Sequence, residues 1–93
     1  MSKVRLEGFV LIPHSDLETV LNELPAHIAN SRAEQGCLKF DVTQDNSNLC
    51  RLNVQEEFID MLAFEKHQKR VENSDWGKIT YKCTRHYEIH KAP

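Results

Sequence analysis

The chain has 93 residues, 40% of them hydrophobic and 28% charged, with only three Gly and three Pro, which excludes disordered and collagen-like chains and gives enough length for one core, a single domain over residues 1–93. Twelve Lys and Arg against fourteen Asp and Glu leave a net charge of -2 with both signs scattered, so no basic stripe serves a nucleic acid and no polybasic segment serves a membrane surface. The longest apolar run, Phe9 to Ile12, falls far short of the roughly 20 residues of a membrane span, and Lys3, Arg5 and Glu7 interrupt the N-terminus where a signal peptide is apolar, so the expected setting is the cytoplasm.

From Lys3 to Ile12 the chain alternates Val4, Leu6, Gly8, Val10 and Ile12 with Arg5, Glu7, Phe9 and Leu11. The first half is amphipathic and the second apolar on both sides, which predicts a central strand that Pro13 ends. Ser15 to Glu18 has the S-x-x-E form of a helix start. Leu17, Val20, Leu21, Leu24, His27 and Ile28 then recur at helical spacing, and Gly36 offers a left-handed stop. Pro25 removes a backbone donor inside that helix and predicts a kink or break there.

Cys37 to Thr43 sets Leu38, Phe40 and Val42 against Lys39 and Asp41, the pattern of a half-buried strand. Gln44 to Asn48 supplies a turn, and Leu49 to Phe58 returns antiparallel. Asp60 caps a second helix, Met61 to about Val71, with Phe64, Gln68 and Val71 on one side and His67 at its margin. Glu72 to Lys78 is irregular or a short turn of helix with Ser74 as a possible cap. Ile79 to Ile89 alternates as a last strand. Strand, helix, strand, strand, helix, strand predicts a ferredoxin-like α+β fold, a four-stranded antiparallel sheet with two helices on one face. The other face is expected to be covered by a second copy in a homodimer.

Three cysteines, Cys37, Cys50 and Cys83, lack C-x-x-C spacing and read as reduced, partly buried thiols. Glu56 is the most informative polar residue, because it shares parity with Leu52, Val54 and Phe58. A buried carboxylate needs a partner or a raised pKa, and Arg85 and Arg32 are the candidates. Such a pair can simply fix strand register, or the carboxyl can serve in proton transfer. His27 and His67 sit on the inward sides of the two helices, either as core histidines or as rings that converge with Glu56 on one cavity between helices and sheet. His86, Glu88 and His90 alternate on one face of the last strand, but successive same-side residues lie about 6.6 to 7 Å apart and no fourth ligand is evident, so no metal site is expected. Trp76, Tyr81 and Tyr87 line a flat substrate slot or belong to the core. Nucleotide, serine-hydrolase and zinc-protease motifs do not occur.

Three blocks, Ser31-Arg32-Ala33-Glu34-Gln35-Gly36-Cys37-Leu38-Lys39-Phe40, then Glu56-Glu57-Phe58, then Ala63-Phe64-Glu65-Lys66-His67, resemble in order and spacing the antibiotic biosynthesis monooxygenase domain family. The resemblance implies a dimeric α+β barrel of ferredoxin-like subunits with a pocket to which Glu56 and His67 contribute. It also implies an enzyme that oxidises a quinol or phenolic small molecule with dioxygen and takes no flavin, metal or haem cofactor. On that reading His67 or Glu56 removes the phenolic proton, Trp76 holds the ring, and Arg32 or His27 stabilises the charge. An isomerase or tautomerase of a small oxygenated metabolite, like the relatives that process autoinducer-2, is the alternative. A ligand-binding dimer without turnover is another. The haem-degrading pattern differs, since it carries an asparagine in the first strand and a tryptophan on the second helix, where this chain has Glu7 or Gly8 and His67.

Overall fold

A computed structural model describes residues 2–91. Strands β1 (Val4–Leu11), β2 (Cys37–Gln44), β3 (Arg51–Phe58) and β4 (Thr84–Lys91) form one antiparallel sheet in the order β2-β3-β1-β4. Helices α1 (Leu17–Arg32) and α2 (Met61–Glu72) join them, with a short helix α3 (Asp75–Ile79) after α2. This is the ferredoxin-like α+β arrangement that the element order predicts. No helix among the described residues is long and apolar enough to cross a membrane.

Alternation works as predicted in the two central strands. Val4, Leu6 and Val10 of β1 and Leu52, Val54, Glu56 and Phe58 of β3 are buried on the helix side, while Arg5, Glu7, Gln55 and Glu57 take the opposite parity. Gly8 stands at the centre, between Val54 and Tyr87. Its φ is +155°, and a Cβ there would lie 2.0 Å from the backbone oxygen of His86, so β1 and β4 approach as closely as they do only around glycine.

Strand β2 departs from the simple alternation. A bulge between Cys37 and Lys39 gives β2 an extra residue, so Cys37 pairs with Phe58 and Phe40 with Glu56, while Leu38 stays 50% exposed instead of sharing a face with Phe40. Helix α1 is preceded by a single 3-10 turn, His14–Asp16, and no side chain caps either start; the Ser15–Glu18 capping box does not form. Pro25 lies inside α1 without ending it. It sits on the exposed side of the helix, where water can serve the carbonyl that loses its donor. Asp60 and Ser74 do cap, with Oδ1 of Asp60 accepting from the Ala63 amide at 2.8 Å and Oγ of Ser74 from Gly77 at 3.2 Å. Strand β4 begins at Thr84, not Ile79, because Asp75 to Ile79 are helical. Tyr81 is consequently 74% exposed and joins no aromatic slot.

Candidate active site

His67 is more central than its predicted margin. Buried residues of α2 are Ala63, Phe64 and His67, while Gln68 is exposed. The imidazole packs against Phe40 and Phe58, with ring centroids 5.3 and 5.0 Å away. Both ring nitrogens meet a carboxyl group. Nδ1 lies 2.6 Å from Oε1 of Glu34, and Nε2 lies 3.5 Å from Oε1 of Glu56.

Glu34 follows α1, in the turn that leads into β2. Its Oε2 accepts from Nε of Arg70 at 2.8 Å, and Nη2 of Arg70 donates to Oγ of Ser31 at 2.9 Å. Ser31 is fully buried. Two helices and the turn after α1 are thus tied together at one side of the imidazole. Sequence spacing gave no sign of this clamp, because Glu34 and Arg70 are polar residues 36 positions apart.

The group that faces Glu56 is His67, at 3.5 Å and without a hydrogen bond, not the expected Arg85 or Arg32. Arg85 donates to Oγ1 of Thr80 at 2.7 Å. Arg32 donates to the Phe40 carbonyl at 3.0 Å and to Asp41 at 3.1 Å, and its side chain is largely exposed. Arg32 is therefore not one of the residues brought together around His67. Glu56 is 6% exposed. Burial, with a smaller contribution from the charge of Glu34, pushes its pKa up to about 8. The carboxyl is thus predominantly neutral at pH 7, and its Oε1 forms no hydrogen bond among the described residues.

His27 approaches from α1. Its ring stacks on Trp76 at 4.3 Å with planes 3° apart, meets Phe40 edge-on at 5.3 Å, and lies 6.5 Å from His67. Burial first, then the charges of His67, Arg70 and Arg85, push its pKa down to about 3. Nδ1 of His27 is also buried without a hydrogen-bond partner among the described residues. Burial lowers the pKa of His67 as well, against the opposing pull of the bond to Glu34. The interior between α1, α2 and the sheet therefore holds two neutral imidazoles and a neutral carboxyl, with two unsatisfied polar atoms. In a close-packed core such atoms are costly.

From outside, a groove of about 450 Å³ reaches the Glu34 side of His67, lined by Glu34, Ile59, Ala63, Lys66, His67 and Arg70 among others. Glu56, His27 and Trp76 are not on it. Tyr87 shares the helix side of the sheet, and burial together with the Glu56 charge raises its pKa.

On the opposite sheet face, His86 stacks on Phe9 at 4.7 Å, and the guanidinium of Arg51 lies 3.7 Å over the same ring. Among the described residues, the one group of metal-ligating side chains whose donor atoms come within 4.8 Å of one another is Glu7, Glu88 and His90. Glu88 and His90 thus group with Glu7 instead of His86. Nε2 of His90 is 3.5 Å from each carboxylate, and all three side chains are more than 40% exposed, a solvated surface cluster.

The sequence matches the family model for antibiotic biosynthesis monooxygenases over residues 6–78. No curated protein matches in sequence. Among solved structures, a conserved protein from Bacteroides thetaiotaomicron described as a possible oxidoreductase superposes with a TM-score of 0.82 at 19% identity, covering 97% of both chains. A Nitrosomonas europaea protein provisionally assigned as an antibiotic biosynthesis monooxygenase gives 0.77 at 13% identity, over 97% of this chain and 86% of that one. The protein PA3566 from Pseudomonas aeruginosa gives 0.73 at 24% identity, over 98% and 92%. At these identities the likeness carries the fold.

Proposed function

Since the chain belongs to the antibiotic biosynthesis monooxygenase family, we propose that it oxidises a quinol or phenolic small molecule with dioxygen, without flavin, metal or haem, at the His67–Glu56 pair. The observation that carries this reading is a buried imidazole and a buried neutral carboxyl facing each other at 3.5 Å, with the carboxyl oxygen unsatisfied. Entry of a phenolic hydroxyl requires the Nε2–Glu56 contact to open, because the groove that His67 lines does not include Glu56, His27 or Trp76; once admitted, the hydroxyl gives its proton to the uncharged Nε2 of His67. The resulting phenolate is electron-rich enough to reduce dioxygen. One oxygen atom stays on substrate carbon and the other leaves as water with two substrate hydrogens, so the substrate supplies all the electrons. Glu56 is the acid that protonates the departing oxygen. His27 and Trp76, stacked on one another, form the wall against which the ring rests.

A homodimer, with a second copy over the outer sheet face, belongs to the same proposal. Phe9, half-buried on that face, favours it. Oxygen uptake with a panel of quinols in metal-free protein tests the activity. His67→Ala is expected to abolish uptake that the wild type shows, and wild-type uptake no greater than buffer refutes the reading.

The same pairing of a neutral base and a neutral acid also suits proton shuttling without oxygen, which keeps an isomerase of a small oxygenated metabolite as the second reading. Turnover that persists anaerobically would select it. Saturable binding without product would instead leave a ligand-binding dimer.

A further inference from the structure

We propose that Glu34, clamped by Arg70, is the positioning residue of this site: it fixes the tautomer and direction of the His67 ring and gives the ring's far proton a way out to the groove. The inference rests on the reading of His67 as the base, and it begins from the two-sided contacts of the imidazole. One nitrogen faces an anchored carboxylate at 2.6 Å and the other faces the interior.

A neutral imidazole has one N–H, and the hydrogen bond made by one nitrogen decides the state of the other. Glu34 accepts from Arg70, so its carboxylate is held in the acceptor form with Oε1 turned to Nδ1. Nδ1 must then carry the proton, and Nε2 must present its lone pair toward Glu56. Without Glu34, the neutral Glu56 carboxyl could as well accept from an Nε2–H, and the ring would lose its function as a base on the interior side.

The clamp is built to hold. Glu34 is only 16% exposed along its side chain, Arg70 bridges it to the buried Ser31, and the groove brings water to Glu34 while Glu56 lies behind the ring. When a substrate O–H breaks, an N–H bond forms at Nε2. The Nδ1–H proton can then pass to Oε1 of Glu34 and on to groove water, which leaves the ring neutral. Once Glu56 has given its proton to the departing oxygen, its carboxylate takes the proton from Nε2, which it faces at 3.5 Å, and return of one proton to Nδ1 by way of Glu34 then restores the starting tautomer. The charged and titratable groups around the ring are Glu34, Arg70 of α2, His27 of α1 and Glu56 of β3, and of these four Glu34 is the one that both touches the ring and lines the groove.

The test is a long-range nitrogen–proton NMR correlation of the His67 side chain at pH 7, which needs no turnover. The wild type is expected to show a protonated Nδ1 and a bare Nε2. Glu34→Gln keeps a carbonyl acceptor, so the tautomer should persist while the proton exit is lost. In that variant kcat should fall by about a hundredfold, the lower end of what a positioned proton-transfer group contributes, with KM little changed. Glu34→Ala should give mixed or Nε2-protonated tautomers. A wild-type ring protonated on Nε2, or Glu34→Ala shifts identical to wild type, overturns the proposal. An enzyme that shows no oxygen uptake but the expected tautomer pattern would refute the oxidative reading and leave the positioning of His67 by Glu34 standing.

Discussion

Glu56→Gln isolates the cost of a buried carboxyl. The side chain keeps its shape and loses the ability to ionise, and the relevant range runs from the ordinary value of 4.5 to the folded-state value of about 8. Below pH 4.5 the group is protonated in folded and unfolded chains alike, so it contributes no pH dependence. As pH rises further the unfolded chain releases the proton and the folded one keeps it, so stability falls by about 1.4 kcal/mol per pH unit. Between 4.5 and 7 that amounts to about 3 kcal/mol, a large share of the roughly 5 to 15 kcal/mol that holds a domain together. Glu56→Gln does not titrate and escapes the loss. Urea unfolding followed by circular dichroism at pH 4.5 and pH 7 should therefore show near-equal stabilities at the lower pH and a variant more stable by about 2 to 3 kcal/mol at the higher. The histidines titrate in both proteins and drop out of the difference. Parallel curves at the two pH values, or a variant that weakens as pH rises relative to wild type, would show that the carboxyl is ionised and well solvated, and with it the neutral acid would disappear.

Other outcomes follow from single contacts. His27→Phe keeps the stack on Trp76 and removes a buried Nδ1 without a partner, so a gain of about 1 kcal/mol is expected at pH 7. Because the His27 pKa is depressed to about 3, the wild type loses stability as pH falls from 6.5 toward 3 and the variant does not, so the gap measured by urea melts should widen on acidification; a constant gap would contradict the burial argument. Trp76→Ala removes a 7% exposed ring and should cost about 3 to 5 kcal/mol, read as a lowered melting temperature. Gly8→Ala forces a Cβ to within 2.0 Å of the His86 carbonyl at a φ of +155°, so hydrogen exchange should accelerate selectively in β1 and β4, and unchanged protection there would show that the strands can part at no cost.

Much of the scaffold was legible because period-two alternation in β1 and β3 has no competing interpretation, and because Asp60 and Ser74 stand just before their helices. The burial of Glu56 came from the same parity. Its partner did not, since arginine is the usual answer to a buried carboxylate and pairing to a neutral imidazole depends on how α2 is rotated. That rotation turned on Ala63, whose small side chain weighs little in an apolar stripe but joins Phe64 and His67 in the core and leaves Gln68 outside. The Ser15 cap failed because a 3-10 turn already occupies His14–Asp16. Glu34 stood in a block that carries the family resemblance, but its bonds to His67 and Arg70 went unread, because contacts between polar side chains on separate elements leave no periodic trace.

The extra residue in β2 works as a length adjuster. Upstream of it, the Gly36 carbonyl accepts from the Ile59 amide at 2.9 Å, and the Gly36 backbone lies against Ala63 so tightly that an added Cβ would come within 2.7 Å of the alanine's. Downstream, Phe40 is locked opposite Glu56. Deleting Leu38 would take up about 3.3 Å of chain between these two anchors, more than the span of the bond from Glu34 to His67. Loss of one exposed leucine, far from any reacting atom, would thus drag the carboxylate off the imidazole.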